Sequence, residues 1–354
     1  MSRYFSSKYD TLKPYVPGEQ PRGRTFIKLN TNESPFPPSP KAQFYAAQAA
    51  AGVNLYSDPE CTVLVEAMAA MKGLKPQQIL FGNGSDEVLY LAFLAYCDSK
   101  TPAMFPDISY GFYKVYAQFL GIDYTQVPLE EDFSIRPEAY YNAGKTIFIA
   151  NPNAPTGQLL TLEQIRGILE NNRDNIVLID EAYIDFGGKS ALALLNDFDN
   201  LLVTQTFSKS RSLAGGRLGV IFGNEALIAD LKAVKYSINP YNVNAITQAA
   251  GLGALEDEAY TQANCQTVME NRDFTTQALR ALGFRVADSY ANFVFAANPK
   301  LPGGELYAAL KERGILVRYF DTDRLRPYVR ITIGTRQEME ALLTEIRNIL
   351  EEIQ

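Results

Sequence analysis

The sequence has 354 residues, of which 47% are apolar and 21% are charged, as is typical of a folded globular chain. This length favours one large and one small domain over a single core. A net charge of −7 argues against a nucleic-acid partner, which requires a basic surface. No stretch of about 18 consecutive apolar residues occurs, and no apolar run follows the first positive charges. We therefore expect a cytoplasmic protein without a membrane partner.

The side chains that are absent or rare restrict the possible chemistry. The sequence contains no histidine, which excludes Ser-His-Asp and Cys-His catalysis, histidine metal ligands and histidine acid-base catalysis. Cys61, Cys97 and Cys265 form no Cys-x-x-Cys pair, so we predict neither a disulfide framework nor a metal site. In an enzyme of this composition, a lysine, a tyrosine, a carboxyl group with a raised pKa or a cofactor must carry the proton near neutral pH.

Strand and helix patterns alternate from about residue 76 onward. Residues 1–40 are rich in proline and predict an arm and a crossing segment without a regular element. Short apolar runs predict strands in QQILFGNG, PAMF, DYTQVPL, TIFIANPN, NIVLIDEA, NLLVTQTFS and GVIFG. Longer amphipathic runs predict helices in SDEVLYLAFLAY, YGFYKVYAQFLG and TLEQIRGILENN. The alternation predicts an α/β large domain at 41–242, with a mostly parallel sheet that helices cover on both faces.

The pattern changes after about residue 240. A long helical stretch at roughly 243–281 precedes short strand patterns in FRVADS, NFVFA, ILVRYF and YVRITIG. Further helices are predicted near GELYAALKERG and from about residue 336 to the end of the chain. Short strands with flanking helices predict a smaller α+β domain at 243–354.

The unusual residues fall at predicted strand ends, where α/β sheets bind their ligands. Gly82 and Gly84 precede Ser85 and Asp86, where a helix begins, and its backbone N–H groups predict an anion site suited to a phosphate. The alternative is an ordinary turn capped by Ser85 or Asp86. The glycine spacing matches neither the dinucleotide fingerprint nor the P-loop.

Two further strand ends carry polar residues. In NPNAPTG, two prolines and a glycine predict a rigid turn whose asparagines, such as Asn153, face a ligand, and an ordinary loop is the alternative. Asp180 ends a buried strand, where a carboxylate needs a cation or a donor such as a protonated ring nitrogen. A magnesium-binding aspartate is the rival interpretation, but its glycine-lysine partner is missing. Glu181 and Asp185 are expected at a helix start or on the surface.

A lysine and an arginine follow the strand pattern NLLVTQTFS. Lys209 lies among Ser208, Ser210 and Ser212, and Arg217 adds a fixed positive charge. An arginine binds phosphate bidentately, and an electropositive setting lowers the pKa of a lysine toward the nucleophilic amine. An aspartate can pair with a pyridinium nitrogen, a lysine can bind an aldehyde, and the arginine, the serines and the helix N-terminus can bind a phosphate. Together these groups predict pyridoxal phosphate as cofactor.

Seven sequence blocks extend this pattern over nearly the whole chain. In order, they read NESP, LYSDPE, GNGSDE, NPNAPTG, IDEAYIDF, FSKSRSLAGGRLG and VRITIGT. They resemble the fold-type-I, class I and II aminotransferases that depend on pyridoxal phosphate, most of all the branch that acts on histidinol phosphate. The resemblance implies that Lys209 binds the cofactor aldehyde, Asp180 pairs with the ring nitrogen and Tyr183 reaches the ring hydroxyl. The remaining cofactor residues that it implies are Gly84, Ser85, Asp86, Ser208 and Arg217 around the phosphate, and Tyr110 and Asn153 near the ring.

The resemblance also implies a homodimer and a substrate site. Tyr56 would reach the cofactor phosphate of the neighbouring subunit, so the two active sites would be shared. The substrate residues that it implies are Tyr15, Asn32, Arg318 and Arg330. Their arginines fit both the carboxylate of glutamate and the phosphate of an amino-alcohol phosphate. Arg324 and Arg326 are expected to be surface charges, and Glu33 is a candidate for the substrate entrance.

The activity that the resemblance implies is transamination between L-histidinol phosphate and 2-oxoglutarate in histidine biosynthesis. An aromatic amino acid aminotransferase and a threonine-phosphate decarboxylase share the architecture and are alternatives. A nicotinamide dehydrogenase is disfavoured by the incomplete glycine fingerprint. A non-enzymatic regulator that binds pyridoxal phosphate is disfavoured because no basic DNA-binding segment is present.

The chain departs from the family at one position. The family's usual asparagine before Pro-Thr-Gly is replaced by Ala154. Loss of a hydrogen bond to an ionised ring oxygen costs about 1.5–3 kcal/mol. We therefore predict a higher pKa for the linkage between Lys209 and the cofactor than in enzymes with the asparagine.

Overall fold

Strands and helices alternate over the part of the chain that the computed structural model describes, residues 2–10, 12–20, 23 and 25–353. The strands are β1 (Ile27–Lys28), β2 (Ile79–Gly82), β3 (Ala103–Pro106), β4 (Tyr124–Val127), β5 (Thr146–Ala150), β6 (Val177–Asp180), β7 (Leu201–Thr206), β8 (Gly219–Phe222), β9 (Arg285–Val286), β10 (Phe293–Ala297), β11 (Ile315–Leu316), β12 (Arg318–Tyr319) and β13 (Tyr328–Thr332). The helices are α1 (Pro40–Ala49), α2 (Thr62–Lys72), α3 (Ser85–Tyr96), α4 (Phe112–Leu120), α5 (Leu162–Glu170), α6 (Glu225–Ile238), α7 (Ala245–Leu255), α8 (Glu258–Ala281), α9 (Gly303–Glu312) and α10 (Arg336–Glu352). Within these ranges, no helix has both the length and the apolar character needed to cross a membrane.

The large domain is built on one seven-stranded sheet in the order β2-β8-β7-β6-β5-β3-β4. Strands β3 to β7 are paired in parallel, whereas β8 runs antiparallel to both of its neighbours. Because antiparallel neighbours need no crossover helix, residues 207–218 between β7 and β8 form a loop, and this loop carries Lys209 and Arg217. The predicted strands and the mostly parallel sheet are confirmed.

Side chains of the sheet alternate between two apolar cores. Ile147 and Ile149 of β5 belong to the core formed with α2, α5 and α7, whereas Phe148 belongs to the core formed with α3, α4 and α6. All residues of β5, β6 and β7 are buried, which explains their nearly continuous apolar sequences. Helices therefore cover both faces, as predicted.

A separate core belongs to the small domain. An antiparallel sheet in the order β12-β13-β10-β9 packs against α8, α9 and α10. β1 pairs in parallel with β11 and ties the N-terminal segment to this domain. Residues 1–40 therefore contain a short strand, which their proline-rich sequence did not predict.

The long helical stretch predicted at roughly 243–281 is two helices, α7 and α8, separated at Glu256 and Asp257. Ala250 and Ala254 of α7 lie in the core of the large domain. A Cβ atom on Gly253 would come within 2.6 Å of the backbone carbonyl of Lys41 in α1, so glycine permits this close packing. The buried side chains of α7 therefore pack in a core of the large domain and those of α8 in the core of the small domain, and the predicted boundary at residue 243 stays a prediction.

Candidate active site

A cavity lies where the parallel strands end. Ala150, Asp180 and Thr206 are the last residues of β5, β6 and β7, and all three line it. The predicted cofactor residues that line it are Ser85, Asp86, Tyr110, Asp180, Tyr183, Ser208, Lys209 and Arg217. These residues are far apart in sequence, but the carboxyl ends of neighbouring parallel strands meet at one edge of the sheet.

Asp180 has two carboxyl oxygens in different environments. Its Oδ2 accepts a 2.8 Å hydrogen bond from the hydroxyl of Tyr113, whereas its Oδ1 is buried and has no hydrogen-bond partner. Burial raises the pKa of Asp180 to about 6, and the hydrogen bond from Tyr113 acts in the opposite direction. A buried carboxyl oxygen without a donor is costly, so the site fits a ligand that supplies one, such as the N–H of a protonated pyridine ring.

Lys209 supplies an amine with a low pKa for a lysine. Burial and, next, the positive charge of Arg330 lower the pKa of Lys209 to about 8. Its Nζ donates a 3.3 Å hydrogen bond to the backbone oxygen of Thr31 and lies 5.7 Å from the centre of the Tyr183 ring. In mildly alkaline solution a large fraction of this amine is uncharged and nucleophilic.

The N-terminus of α3 lies beside the guanidinium group of Arg217. The residue before the helix is Gly84, with φ of +82°, and no side chain caps the first backbone N–H groups. The alternative of a turn capped by Ser85 or Asp86 is therefore wrong. A Cβ atom on Gly84 would come within 2.5 Å of Nη2 of Arg217, so glycine lets the guanidinium group approach the turn. Uncapped N–H groups and a guanidinium group together suit a phosphate.

Asp86 links this anion site to the aromatic wall of the cavity. Its Oδ2 accepts a 2.8 Å hydrogen bond from Arg217, and its Oδ1 accepts a 2.5 Å hydrogen bond from the hydroxyl of Tyr110. The hydroxyl of Tyr116 also donates to the backbone oxygen of Asp86, at 3.0 Å. These bonds fix the positions of Arg217 and Tyr110 relative to each other.

Tyr183 lines both the first cavity and a second one, and Asn32 lines the second cavity beside it. Nδ2 of Asn32 donates a 2.9 Å hydrogen bond to the hydroxyl oxygen of Tyr183, and the hydroxyl of Thr332 donates to Oδ1 of Asn32 at 3.1 Å. Asn32 has φ of +54°, which residues other than glycine rarely adopt. The backbone at this point is therefore set by the fold, and it aims the amide at Tyr183.

The second cavity is the larger of the two and contains the predicted substrate arginines. Arg330, in β13, donates a 2.9 Å hydrogen bond from Nη2 to the backbone oxygen of Asn30, but its buried Nε has no partner. Burial lowers the pKa of Arg330. A guanidinium group with a buried, unpaired N–H fits an anionic ligand.

Arg318 and Tyr15 line this cavity where it borders the N-terminal arm. Nη2 of Arg318 donates a 3.1 Å hydrogen bond to the backbone oxygen of Val16, which ties the small domain to the N-terminal arm. The ring of Tyr15 stacks on that of Phe112 with 4.4 Å between the centres. All four predicted substrate residues thus line one cavity beside Lys209.

The sequence did not reveal two further residues of this cavity, Asp107 and Arg324. Arg324 is exposed, as expected, and it donates hydrogen bonds to the backbone oxygens of Leu129 and Glu130, at 3.0 and 2.6 Å. It reaches across from the small domain to the large one, with its Nη1 3.6 Å from Oδ2 of Asp107. Asp107 directly follows β3, so its place at a strand end was the signal that could have identified it.

Hydrogen bonds within the protein hold two polar side chains that follow strands β5 and β6. Oδ1 of Asn153 accepts a 2.8 Å hydrogen bond from Ser109 and its Nδ2 donates to the backbone oxygen of Ile108 at 3.0 Å, and its predicted contact with the cofactor stays a prediction. These two bonds occupy the side-chain amide of Asn153, whereas its neighbour Ala154 lines both cavities. Glu181 was expected at a helix start or on the surface, but it is buried, and its carboxyl accepts hydrogen bonds from Ser190, Ala191 and Gln205.

Glu33 and Tyr56 line neither cavity. Glu33 forms an ion pair with Lys28 and accepts a 2.8 Å hydrogen bond from the hydroxyl of Thr31, the residue whose backbone oxygen Lys209 contacts. Tyr56 is 84% exposed and stacks on Tyr241 with 4.6 Å between the ring centres. Its predicted contact with a neighbouring subunit stays a prediction.

Comparisons with known proteins give a consistent result. The family model described as aminotransferase class I and II matches residues 24–346. The chain is 45% identical over 357 residues to a histidinol-phosphate aminotransferase of Brachyspira hyodysenteriae, with 99% of this chain and 100% of the relative covered. It is 46% identical over 353 residues to one of Marinomonas sp., again with 99% and 100% covered.

Solved structures show the same fold. The histidinol-phosphate aminotransferase from Sinorhizobium meliloti, in complex with pyridoxal-5'-phosphate, has a TM-score of 0.90 at 23% identity and covers 100% of this chain and 99% of its own. An aspartate aminotransferase from Thermus thermophilus, with maleate, has a TM-score of 0.82 at 19% identity, with 98% and 100% covered.

Proposed function

Because the chain belongs to the class I and II aminotransferase family, we propose that it transfers an amino group between L-histidinol phosphate and 2-oxoglutarate, with pyridoxal phosphate as cofactor. One observation carries the proposal. The unpaired buried oxygen of Asp180 and the low-pKa amine of Lys209 line the same cavity. The choice of substrate is supported by the relatives, which are histidinol-phosphate aminotransferases along their whole length. A biosynthetic enzyme with these small-molecule substrates is expected in the cytoplasm.

The residues that line the first cavity match the functional groups of the cofactor. Oδ1 of Asp180 would accept a hydrogen bond from the pyridine nitrogen, and Nζ of Lys209 would bind the aldehyde. The groups for the phosphate are the N-terminus of α3 with Ser85, together with Ser208 and Arg217. Tyr110 would pack on the ring. Because Asn32 donates to the hydroxyl oxygen of Tyr183, the Tyr183 proton is available for an oxygen on the ring.

The chain's own groups move the proton. Pyridoxal phosphate, when bound, supplies an aldehyde that exchanges amines and a ring that accepts the electron pair left on the substrate carbon. Nζ of Lys209 would hold the aldehyde of the bound cofactor, and as a free amine it would take the proton from the substrate carbon as a general base. The negative charge of Asp180 keeps the ring nitrogen protonated. The same groups act in the reverse order on the second substrate, so ping-pong kinetics are expected.

The second cavity has groups of opposite charge for the two ends of the substrate. Arg330 and Arg318 suit the phosphate of histidinol phosphate and, in the other half-reaction, a carboxylate of glutamate. Among the described residues that line this cavity, Asp107 is the only one with a carboxyl group. Its Oδ1 accepts a 2.9 Å hydrogen bond from the backbone N–H of Leu129, and its Oδ2, which lies 3.6 Å from Nη1 of Arg324, has a further lone pair that could accept an imidazole N–H.

We also propose a homodimer with shared active sites. Large apolar side chains that are exposed in one subunit cluster on α2 and the segment before it: Val53, Leu55, Tyr56 and Val63. Exposed apolar patches of this kind mark protein interfaces. Mixing a Lys209→Ala subunit with a Tyr56→Ala subunit tests this arrangement, because one site of the hybrid dimer then has both groups intact. Activity that exceeds that of each variant alone is expected, and a monomer in sedimentation experiments would contradict it.

The absorbance spectrum of the purified protein with pyridoxal phosphate tests the proposed function. A yellow band that bleaches after L-histidinol phosphate is added is the expected result. Bleaching with glutamate or phenylalanine but not with histidinol phosphate would favour an aromatic aminotransferase. Release of carbon dioxide from threonine phosphate would favour the decarboxylase. If no band forms, the assignment of Lys209 and Asp180 is wrong.

A further inference from the structure

Tyr113 lies behind the candidate active site, where it contacts Asp180 and Tyr110. It lies in α4, is completely buried, and donates a 2.8 Å hydrogen bond to Oδ2 of Asp180. Its ring packs edge-on against Tyr110, with 5.8 Å between the centres, and lies 6.0 Å from the ring of Phe148. Tyr113 lines neither cavity, so it is not placed to touch cofactor or substrate.

The charge of Asp180 depends on a small number of groups. Asp180 forms no salt bridge with any residue in the described part of the chain. The hydroxyl of Tyr113 and the backbone N–H of Ala182 stabilise the carboxylate, whereas burial and the negative charge of Asp86 act against it. Tyr113 is therefore the one side chain among these groups that favours the ionised form.

We propose that Tyr113 is a positioning residue for the aminotransferase reaction, because its hydroxyl keeps Asp180 ionised and leaves Oδ1 available to the ring nitrogen of the cofactor. This inference rests on the proposed function, since that function places a ring nitrogen at Asp180. The tight packing around Tyr113 holds the hydroxyl in one place, and the hydrogen bond in turn fixes the rotation of the carboxyl group.

Removal of this hydroxyl would leave both oxygens of Asp180 without a side-chain donor. A buried carboxyl group then gains a proton more easily and can turn away from the cavity. The ring nitrogen would lose its partner, which weakens cofactor binding and the ability of the ring to accept electrons. The substrate arginines are untouched, so kcat is expected to fall while KM for histidinol phosphate changes little.

The test compares Tyr113→Phe with Tyr140→Phe. Tyr140 is a matched control because it is also completely buried, but its hydroxyl has no hydrogen-bond partner. Tyr113→Phe is expected to lower kcat and the affinity for pyridoxal phosphate by roughly tenfold to a hundredfold, as is usual for a hydrogen bond to a charged group. Tyr140→Phe is expected to keep the wild-type values. Equal behaviour of the two variants overturns the inference.

A double-mutant cycle separates this role from a general effect on packing. In an Asp180→Asn background, Tyr113→Phe is expected to cause no further loss of cofactor affinity, because both changes act through the same carboxyl group. If Tyr113→Phe lowers the cofactor affinity as much in that background as it does in the wild type, Tyr113 acts by another route, and the inference is wrong. If the wild-type protein binds no pyridoxal phosphate, both the proposed function and this inference are wrong. If the wild-type protein binds it and Tyr113→Phe binds it equally well, only this inference is wrong.

Discussion

Arg217 forms an ion pair with Asp86, with 2.8 Å between Nη2 and Oδ2, beside the N-terminus of α3. The pair joins the loop after β7 to a helix that follows β2, two segments more than a hundred residues apart in sequence. Arg217 has φ of +54°, so its backbone is held in a conformation that is uncommon for arginine. The guanidinium group is thus in position before an anion arrives, which reduces the entropy lost on binding.

Replacement of Arg217 by lysine is expected to weaken the binding of pyridoxal phosphate. Lysine keeps the charge but loses the two-pronged geometry that suits both phosphate and Asp86. We expect roughly tenfold to hundredfold lower affinity in a titration of the apoenzyme followed by absorbance. Arg326→Lys is the control, since Arg326 is an exposed arginine paired with Asp321. A similar loss in both variants would contradict a phosphate role for Arg217.

The parts of the site that the sequence predicted lie where a polar residue ends an apolar strand. A charge at such a position is unusual enough to indicate chemistry, and this reasoning identified Asp180 and Lys209. The sequence also predicted an anion site at Gly84. In the structure, the positive φ at this residue and the close approach of Arg217 both favour glycine.

The remaining residues depend on contacts between distant segments. The sequence shows that Asn153 lies in a turn, but not that Ser109 and Ile108 bind its amide. The sequence shows Arg324 as a surface charge, but not that it reaches from the small domain to the backbone of the large domain. The packing of α7 against α1 was likewise hidden, because an apolar helix face does not specify which core it joins.

The reaction of the apoenzyme with pyridoxal phosphate is expected to depend on pH through Lys209. Only the uncharged amine attacks an aldehyde, and the pKa of Lys209 is lowered to about 8. The rate of appearance of the yellow band should therefore rise with pH up to about 8 and level off above it. Lys209→Ala should form no covalent linkage that borohydride can trap. A rate that continues to rise well above pH 9 would contradict the lowered pKa.

Substitution of the two cavity arginines is expected to have unequal effects. Arg330 is half-buried and its buried Nε is unpaired, whereas Arg318 already donates to the backbone of the N-terminal arm. Arg330→Lys should lower kcat/KM for both glutamate and histidinol phosphate by roughly tenfold to a hundredfold. Arg318→Lys should have a smaller effect in the same steady-state assays. If Arg318 were the main anion ligand, Arg318→Lys would lower kcat/KM more than Arg330→Lys does.

Asp107→Asn is expected to discriminate between the two substrates. The amide oxygen can still accept the hydrogen bond from Leu129, and Arg324 keeps its bonds to the backbone oxygens of Leu129 and Glu130, but the negative charge that faces both Arg324 and an imidazole is lost. KM should rise for histidinol phosphate and remain near the wild-type value for glutamate, which has no imidazole. Asp321→Asn is an exposed control. An equal rise for both substrates would show that Asp107 supports the cavity without recognising imidazole.

Ala154→Asn is expected to lower the pKa of the linkage between Lys209 and the cofactor. Ala154 is only 7% exposed and lines both cavities, so an amide at this position would lie beside the ring. A hydrogen bond to an ionised ring oxygen is worth about 1.5–3 kcal/mol, which corresponds to a fall of roughly one to two pH units in the midpoint of the cofactor absorbance change. Ala154→Val adds volume without a donor, so the two variants separate hydrogen bonding from packing. If valine shifts the midpoint as much as asparagine does, or if neither shifts it, the missing amide does not set this pKa.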